Sequence, residues 1–182
     1  MNVSVSELPN AIPEMKAGMR VFLSGGIYTA RDAAHVEMFK LIDAGKTLPF
    51  NIRDAVIYYA GPTPGGKTRP VGACGPTTSG RMDAFTPKLH DMGLLATIGK
   101  GERADKVLES IVRNTAVYLC AIGGAGALIA KHIVNAEEIA FDELGCESIK
   151  RLTVMKLPLI VGIDSHGNKI FAKAQAVSGY EN

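Results

Sequence analysis

The sequence predicts an α/β domain in which short buried strands alternate with helices around a partly parallel sheet. Compact apolar runs such as residues 55–60 (AVIYYA) and 116–122 (AVYLCAI) are typical of buried strands. The stretches between them carry apolar residues three and four positions apart, as amphipathic helices do. Strands that alternate with helices favour parallel pairing. The length of 182 residues suits one domain, which we expect to span residues 1–182.

The first half of the chain predicts two strands and two helices. A strand over residues 19–24 is expected to end in a turn at Gly25-Gly26. A helix follows from Arg31–Asp32 to Asp43, because its apolar residues form one stripe and Asp32 complements the helix dipole. After the strand at residues 55–60 comes a loop rich in Gly and Pro, over residues 61–81. A short helix is then expected from Thr86, with Pro87 in its first turn.

The second half continues the alternation. In order, we expect a strand at 94–98, a helix at 104–113, a strand at 116–122, a helix near 125–133, strands at 148–154 and 157–164, a tight turn at 165–168 and an apolar run at 169–174.

The composition argues against several classes of function. A net charge of +2 and an aromatic content of 6% give neither the basic face nor the stacking platforms that nucleic-acid binding uses. No apolar run approaches the roughly 20 residues that a membrane span requires. The first ten residues also lack the basic and apolar regions of a secretion signal. We therefore expect a cytoplasmic protein that binds neither nucleic acid nor membrane.

The cysteines and histidines do not predict a metal site on this chain. Cys74, Cys120 and Cys146 are 46 and 26 residues apart and contain no CxxC pair. The four histidines are equally scattered, with no HExxH motif. If the reaction uses a metal, we expect its ligands to come largely from elsewhere.

Two segments resemble nucleotide-binding motifs. Residues 61–68 (GPTPGGKT) fit the GxxxxGK[ST] pattern, in which a helix begins at the lysine and directs backbone N–H groups at phosphates. Pro70 would interrupt that helix, so we expect no such site. Residues 123–128 (GGAGAL) follow a strand, but Ile129 stands where a dinucleotide fingerprint has its third small residue. Close packing of a strand and a helix is the simpler interpretation, and a role at the mouth of a site stays open.

A third segment, residues 75–83 (GPTTSGRMD), points to anion binding. Hydroxyl groups and free backbone N–H groups at a turn can hold a carboxylate or phosphate, and Arg81 offers a planar fork for a carboxylate. Arg31 and Lys100 also follow predicted strands, and ligands of parallel sheets bind at the carboxyl ends of strands. Three converging cations would suit a small dianion. The alternative is a Ser/Thr-rich turn with solvated surface cations.

Taken in order, five segments resemble the C-terminal half of class I fumarate hydratases and equally the beta subunit of L-tartrate dehydratase. They are residues 24–35 (SGGIYTARDAAH), 59–64 (YAGPTP), 75–83 (GPTTSGRMD), 99–101 (GKG) and 157–168 (LPLIVGIDSHGN).

This resemblance implies a swivelling β/β/α domain and the reversible addition of water to the double bond of a dicarboxylate. It also implies a [4Fe–4S] cluster whose three Cys ligands lie in the other half of the enzyme. We therefore expect this chain to bind no cofactor alone and to act as the beta subunit of a hetero-oligomer (alpha2beta2) with a cluster-bearing alpha subunit.

The resemblance also assigns roles to individual residues. Thr77 would transfer a proton and Arg81 would both bind substrate and stabilise negative charge that develops on it. The residues expected to bind the dicarboxylate substrate are Arg31, Thr78, Ser79, Arg81 and Lys100. His35 either positions Arg31 or packs, and Cys74 is expected not to be a cluster ligand.

The expected reaction is the hydration of fumarate to L-malate. The motifs do not separate this reaction from the dehydration of L-tartrate to oxaloacetate, so a tartrate dehydratase beta subunit is the alternative. Two more distant alternatives are a nucleotide-binding module at Gly61–Thr68 and a purely structural subunit.

Overall fold

The computed structural model describes residues 1–66 and 68–171. In these residues the chain forms a mixed α/β fold with one seven-stranded sheet. The strands are β1 Asn2–Ser4, β2 Arg20–Thr29, β3 Val56–Tyr58, β4 Ala96–Gly99, β5 Val117–Cys120, β6 Ile133–Ala140 and β7 Ile149–Ile163. The helices are α1 Leu8–Ala11, α2 Asp32–Asp43, α3 Thr86–Asp91, α4 Asp105–Asn114 and α5 Gly126–Ala130.

The sheet combines a parallel half with antiparallel closing strands. Strands β1 to β5 pair in parallel in the order of the sequence. The long strand β7 is antiparallel to its neighbours: it pairs with β2 along one edge and with β6 and β5 along the other. Because β7 joins β2 to β5, strands β2, β3, β4, β5 and β7 close into a ring. The predicted parallel alternation is thus confirmed for most of the sheet.

The apolar core lies on both sides of this ring. Alternate residues of the strands fill its inside, for example Leu23 on β2, Val56 on β3 and Val154 on β7. The residues between them along the strands, such as Ile57 and Tyr59, face the outside of the ring and pack against α2 and α3. This alternation is the pleat of the strands, which directs successive side chains to opposite faces. The closed ring leaves the carboxyl ends of β2, β3 and β4 together at one edge.

The predicted turn at Gly25-Gly26 is wrong, because β2 continues through both glycines to Thr29. The register with β7 shifts between Leu23 and Gly25, and Gly25 has φ +122°, a conformation that L side chains rarely adopt. A β-bulge explains both observations. The two strands expected at 148–154 and 157–164 are likewise a single strand, which passes Lys156 at φ +50°.

Helices α2 and α4 begin and end within one residue of the predicted bounds, whereas α5 ends at Ala130 and not near residue 133. Helix α2 runs from Asp32 to Asp43, and Gly45 follows at φ +66°, the left-handed conformation that often ends a helix. Pro87 lies in the first turn of α3, as predicted. Strands β1 and β6 and helix α1 were not anticipated. The apolar run expected at 169–174 extends beyond Phe171, so residues 172–174 lie outside the described part.

Candidate functional site

The predicted anion-binding groups meet at the carboxyl edge of the parallel strands. Arg31 follows β2, the 75–81 loop follows β3, and Lys100 follows β4. Because these three strands are parallel neighbours, the segments after them emerge side by side. The fold thus brings these three segments to one edge of the sheet, while the binding of an anion by their side chains stays a prediction.

Backbone hydrogen bonds hold the 75–81 loop against the ends of β3 and β4. The Thr77 N–H donates to the Tyr59 carbonyl at 2.7 Å, and the Lys100 N–H donates to the Thr77 carbonyl at 3.3 Å. The Ser79 N–H in turn donates to the Lys100 carbonyl at 2.9 Å, so that Thr78 pairs in parallel with Lys100. The loop thus lies against the ends of β3 and β4 through isolated bridges. Thr77 is half-buried, whereas Thr78, Arg81 and Lys100 are exposed.

Two carboxylates pair with the arginines of the site. Arg81 Nε donates to Asp32 Oδ1 at 2.8 Å, and a terminal nitrogen of Arg31 lies 3.1 Å from Glu147 Oε1. The same nitrogen lies 4.0 Å from Asp32 Oδ2. Asp32 therefore stands between both guanidinium groups, in the first turn of α2. Such partly exposed pairs contribute about 0–1 kcal/mol, so an incoming carboxylate can replace them at little cost.

Ser79 differs in position from its neighbours. Its side chain is buried, and its hydroxyl lies 3.0 Å from the Tyr118 hydroxyl, which donates to the Gly101 carbonyl at 2.9 Å. Direct contact between Ser79 and a substrate stays a prediction. The observed position makes Ser79 a residue that fixes the loop to β5.

His35 combines the two roles left open by the sequence. Its Nδ1 lies 2.8 Å from the Arg31 carbonyl, which only accepts, so Nδ1 donates. The ring is fully buried and packs on Tyr59 and Phe85. Burial lowers the pKa of His35 to about 4, despite the Arg31 carbonyl and Asp32. A neutral His35 thus holds the backbone from which the Arg31 side chain projects.

Sequence reasoning missed a buried ion pair beneath the site. Arg103 Nε donates to Asp83 Oδ1 at 2.6 Å, and neither side chain is more than 10% exposed. In the sequence Asp83 is only the last residue of the GPTTSGRMD segment, and Arg103 lies in a predicted turn. A charged residue in such a turn is usually solvated, so the pattern alone gives no sign of its burial.

The loop at residues 123–126 forms another wall of the site. A Cβ atom on Gly126 would lie 3.1 Å from the Gly75 nitrogen, and one on Gly123 would lie 3.4 Å from the Lys100 Cδ. These close contacts join the GGAGAL segment to the loops around Gly75 and Lys100 rather than a strand to a helix, which agrees with the role at the mouth of a site that the sequence left open. Ile122 and Leu128, on either side of this loop, are 62% and 61% exposed.

The described part of residues 61–68 lacks the helix that a nucleotide-binding motif requires, in agreement with the expectation from Pro70. No helix begins at Thr68, and Pro64 forms an antiparallel bridge with Val71. Lys67, on which that pattern depends, lies outside the described residues.

The described residues do not fit an iron–sulfur cluster. Cys74 is buried behind the loop, where burial raises the pKa of its thiol to about 12, far from the thiolate that a cluster needs. Cys120 ends β5 and Cys146 is exposed in a 3-10 turn. Within residues 1–66 and 68–171, no group of three or more His, Cys, Asp or Glu side chains is arranged to hold a metal ion.

Among the described residues, no helix combines the length and the apolar character needed to cross a membrane.

Comparison with known proteins gives a family. The model of the family described as "Fumarase C-terminus" matches residues 1–174. The anaerobic class I fumarate hydratase of Escherichia coli K12 is 38% identical over 175 residues, which are 94% of this chain and 32% of that protein. The chain thus spans about a third of the length of the fumarate hydratases that it matches.

Two tartrate dehydratase subunits match over most of their own length. The putative L(+)-tartrate dehydratase subunit beta of Methanocaldococcus jannaschii is 37% identical over 88% of this chain and 85% of that protein. The L(+)-tartrate dehydratase subunit beta of Escherichia coli K12 is 30% identical over 89% of this chain and 82% of that protein. With these matches and the family model over nearly its whole length, the chain belongs to the fumarase C-terminus family.

Proposed function

We propose that this chain supplies the carboxylate-binding and proton-transfer half of a hydro-lyase site, and that the assembled enzyme hydrates fumarate to L-malate. The observation that carries the proposal is the convergence of Arg31, the 75–81 loop and Lys100 at one edge of the sheet. Membership of the fumarase C-terminus family supports the reaction class.

In this proposal the cations bind the two carboxylates of the substrate. Arg31, Arg81 and Lys100 supply three positive charges, and Thr78 and Ser79 belong to the same binding loop. Arg81 binds with its planar fork, replacing its contact to Asp32. Lys100 contributes a point charge on a flexible stem.

Thr77 is proposed to move the proton at the substrate carbon. A threonine hydroxyl is a weak base unless nearby cations or a neighbouring base assist it. Arg81 and Lys100 provide the cations, and we assign the base to the partner subunit. In the dehydration direction Thr77 takes the proton from the carbon next to a carboxylate, and negative charge spreads onto that carboxylate as an aci-carboxylate before the hydroxide leaves; hydration passes through the same species in reverse. Arg81 and Arg31 stabilise this charge, which is the usual electrostatic contribution to such a step.

We assign the [4Fe–4S] cluster of the assembled enzyme to a cluster-bearing alpha subunit in an alpha2beta2 assembly. Relatives named as beta subunits support a partner. The exposed Ile122 and Leu128 beside the site are the surface on which we place this subunit. In this proposal residues 1–182 form one swivelling β/β/α domain of a cytoplasmic enzyme.

L-tartrate is the second candidate substrate. The specific observation in its favour is that two L(+)-tartrate dehydratase beta subunits, 37% and 30% identical to this chain, are among its relatives. Dehydration of L-tartrate to oxaloacetate would use the same cations and the same threonine.

The deciding experiment mixes this chain anaerobically with its cluster-loaded partner and offers fumarate and L-tartrate separately. We expect turnover of one acid by the mixture only, lost in Thr77→Ala and partly kept in Thr77→Ser. Turnover by this chain alone, or turnover of neither acid by the mixture, would contradict the proposal.

A further inference from the structure

The two loops that carry the proposed site lack regular secondary structure of their own, apart from a short 3-10 turn at Ser79–Met82. One loop holds Thr77 and Arg81, and the other holds Lys100. Their mutual position therefore depends on the buried side chains beneath them, and one of these side chains contacts most of the others.

That side chain is Arg103, whose guanidinium is fully buried. Its Nε donates to Asp83 at the end of the first loop, while Arg103 itself belongs to the second. Asp83 completes the connection, because its second oxygen accepts the Ala104 N–H at 2.6 Å. The guanidinium also donates hydrogen bonds to the hydroxyl groups of Thr97 at 3.1 Å and Thr86 at 2.8 Å, and a longer one to the Tyr59 hydroxyl at 3.5 Å. Its central carbon lies 5.4 Å from the centre of the Tyr59 ring and 4.9 Å from the centre of the Tyr118 ring.

The charge on Arg103 is maintained in this interior. Burial by itself would lower its pKa, but Tyr59 and Asp83 outweigh that effect and raise it. A permanently charged, planar group that reaches several partners at once is a rigid connector. Removing it would leave the Asp83 carboxylate buried without its counter-charge, so the loop ends would have to move apart or admit water.

A second connection runs parallel to the first. The Tyr118 hydroxyl joins Ser79 of the first loop to the Gly101 carbonyl of the second, and the Tyr118 ring lies against Arg103. Arg103 thus supports both connections from the interior, while the side chains of Arg81 and Lys100 are exposed on the outer side, where a ligand can reach them.

We propose that Arg103 is the positioning residue of the site: through Asp83 and Tyr118 it sets the distance of Thr77 and Arg81 from Lys100. This inference rests on the proposed function. Arg103 does not touch the substrate, so its effect on turnover would come through the residues that do.

The test is Arg103→Lys in the enzyme assembled with its partner. Lysine keeps the charge but cannot reach Asp83 and the threonines together. We expect kcat to fall on the order of 10–100-fold, because small misplacements of reacting groups cost that much. In the double variant with Arg81→Lys, the loss of kcat/KM should be clearly smaller than the product of the two single losses. A purely structural role would give multiplicative losses.

Arg113→Lys is the matched control, because Arg113 makes a comparable pair with Asp91 on the surface. It should keep wild-type kcat and KM. Wild-type kinetics in Arg103→Lys, or independent effects in the double variant, would overturn the inference. If Arg103→Lys does not assemble, Tyr118→Phe decides: we expect about tenfold lower kcat, and unchanged kcat would count against the proposal.

Hydrogen exchange separates this inference from the proposed function. The backbone N–H groups of Ser79 and Lys100 bond across the two loops. Both should exchange faster in the isolated Arg103→Lys chain and not in Arg113→Lys. This result stands even if the wild-type mixture turns over neither acid, in which case only the proposed function fails. Unchanged exchange at both groups would contradict the role of Arg103.

Discussion

Arg81 illustrates how a single residue can be ready for a ligand without being unpaired. Its guanidinium is half exposed and bonds Asp32 through Nε. Asp32 also lies near Arg31, so one carboxylate occupies the position between two arginines that we assign to a substrate carboxylate. An internal carboxylate of this kind keeps the cations in place until a ligand replaces it.

At this scale we predict that Arg81→Lys lowers kcat of the assembled enzyme by on the order of a hundredfold, since an ammonium cannot reproduce two parallel hydrogen bonds to a carboxylate. Steady-state kinetics of the mixture measures the change. Arg113→Lys, a surface exchange of the same chemistry, should have no effect. Near wild-type turnover of Arg81→Lys would remove Arg81 from the site.

The buried histidines predict a dependence of stability on pH. Burial lowers the pKa of His35 to about 4 and that of His90 to about 3, where Arg103 adds to the effect of burial. In the unfolded chain both would have the ordinary value of 6.5. The unfolded state therefore binds protons first, and stability present above pH 6.5 is lost as the pH falls towards 4.

We expect the free energy of unfolding to decrease by about 1.4 kcal/mol per pH unit for each histidine in this range. Denaturant titrations between pH 7 and pH 4.5 measure the slope. In His90→Gln the free energy of unfolding should change less steeply with pH, because one of the two titrating histidines is gone. An equal slope in the variant would show that His90 does not titrate as its burial requires.

At the scale of elements, the end of β4 determines how closely the 75–81 loop can approach. A Cβ atom on Gly99 would lie 1.9 Å from the Ser79 Oγ and 3.1 Å from the Tyr59 ring. The last residue of the strand thus has to be glycine for Ser79 to reach Tyr118. The loop and the strand are specified together, although 20 residues separate them.

Gly99→Ala is therefore expected to lower stability by about 1–3 kcal/mol, the usual cost of forcing an extra methyl group into a packed site. Thermal or denaturant unfolding measures this. Gly66→Ala is the control, because a Cβ atom there meets no atom of the described residues within 4 Å. A Gly99→Ala protein as stable as Gly66→Ala would mean that Ser79 moves away without cost.

At the scale of the whole molecule, exposed apolar side chains lie on both sides of the loop that borders the site. Ile122 and Leu128 are 62% and 61% exposed, and Gly123 between them is close to Lys100. A partner that covers the site would bury both residues and exclude water from the cations. Exclusion of water strengthens the attraction between these cations and a bound dianion.

We predict that Ile122→Asp weakens assembly with the proposed partner subunit at least tenfold, because it places a charge in an apolar contact. Binding of the purified subunits measures the effect. Val112→Asp is a suitable control, since Val112 is also exposed but lies on α4. Equal affinities of the two variants would place the interface elsewhere.

The sequence by itself determined the alternation of strands and helices, the extent of α2, and the segments that carry the family resemblance. These features depend on local periodicity and on short motifs, which a single stretch of chain contains in full. The position of Arg31, Arg81 and Lys100 after parallel strands also followed from local patterns, because the parallel arrangement brings strand ends to one edge.

Only the tertiary structure decided the continuous β7, the bulge in β2 and the burial of Arg103. Strand β7 continues across the gap between the two strands that the sequence predicts at 148–154 and 157–164. Its pairing with β2 and β5 supplies the hydrogen bonds that keep it extended. Arg103 has the sequence context of a solvated turn, and its burial depends on Asp83, which is 20 residues away. Long-range pairing and charge compensation involve distant residues together, so no local pattern contains them.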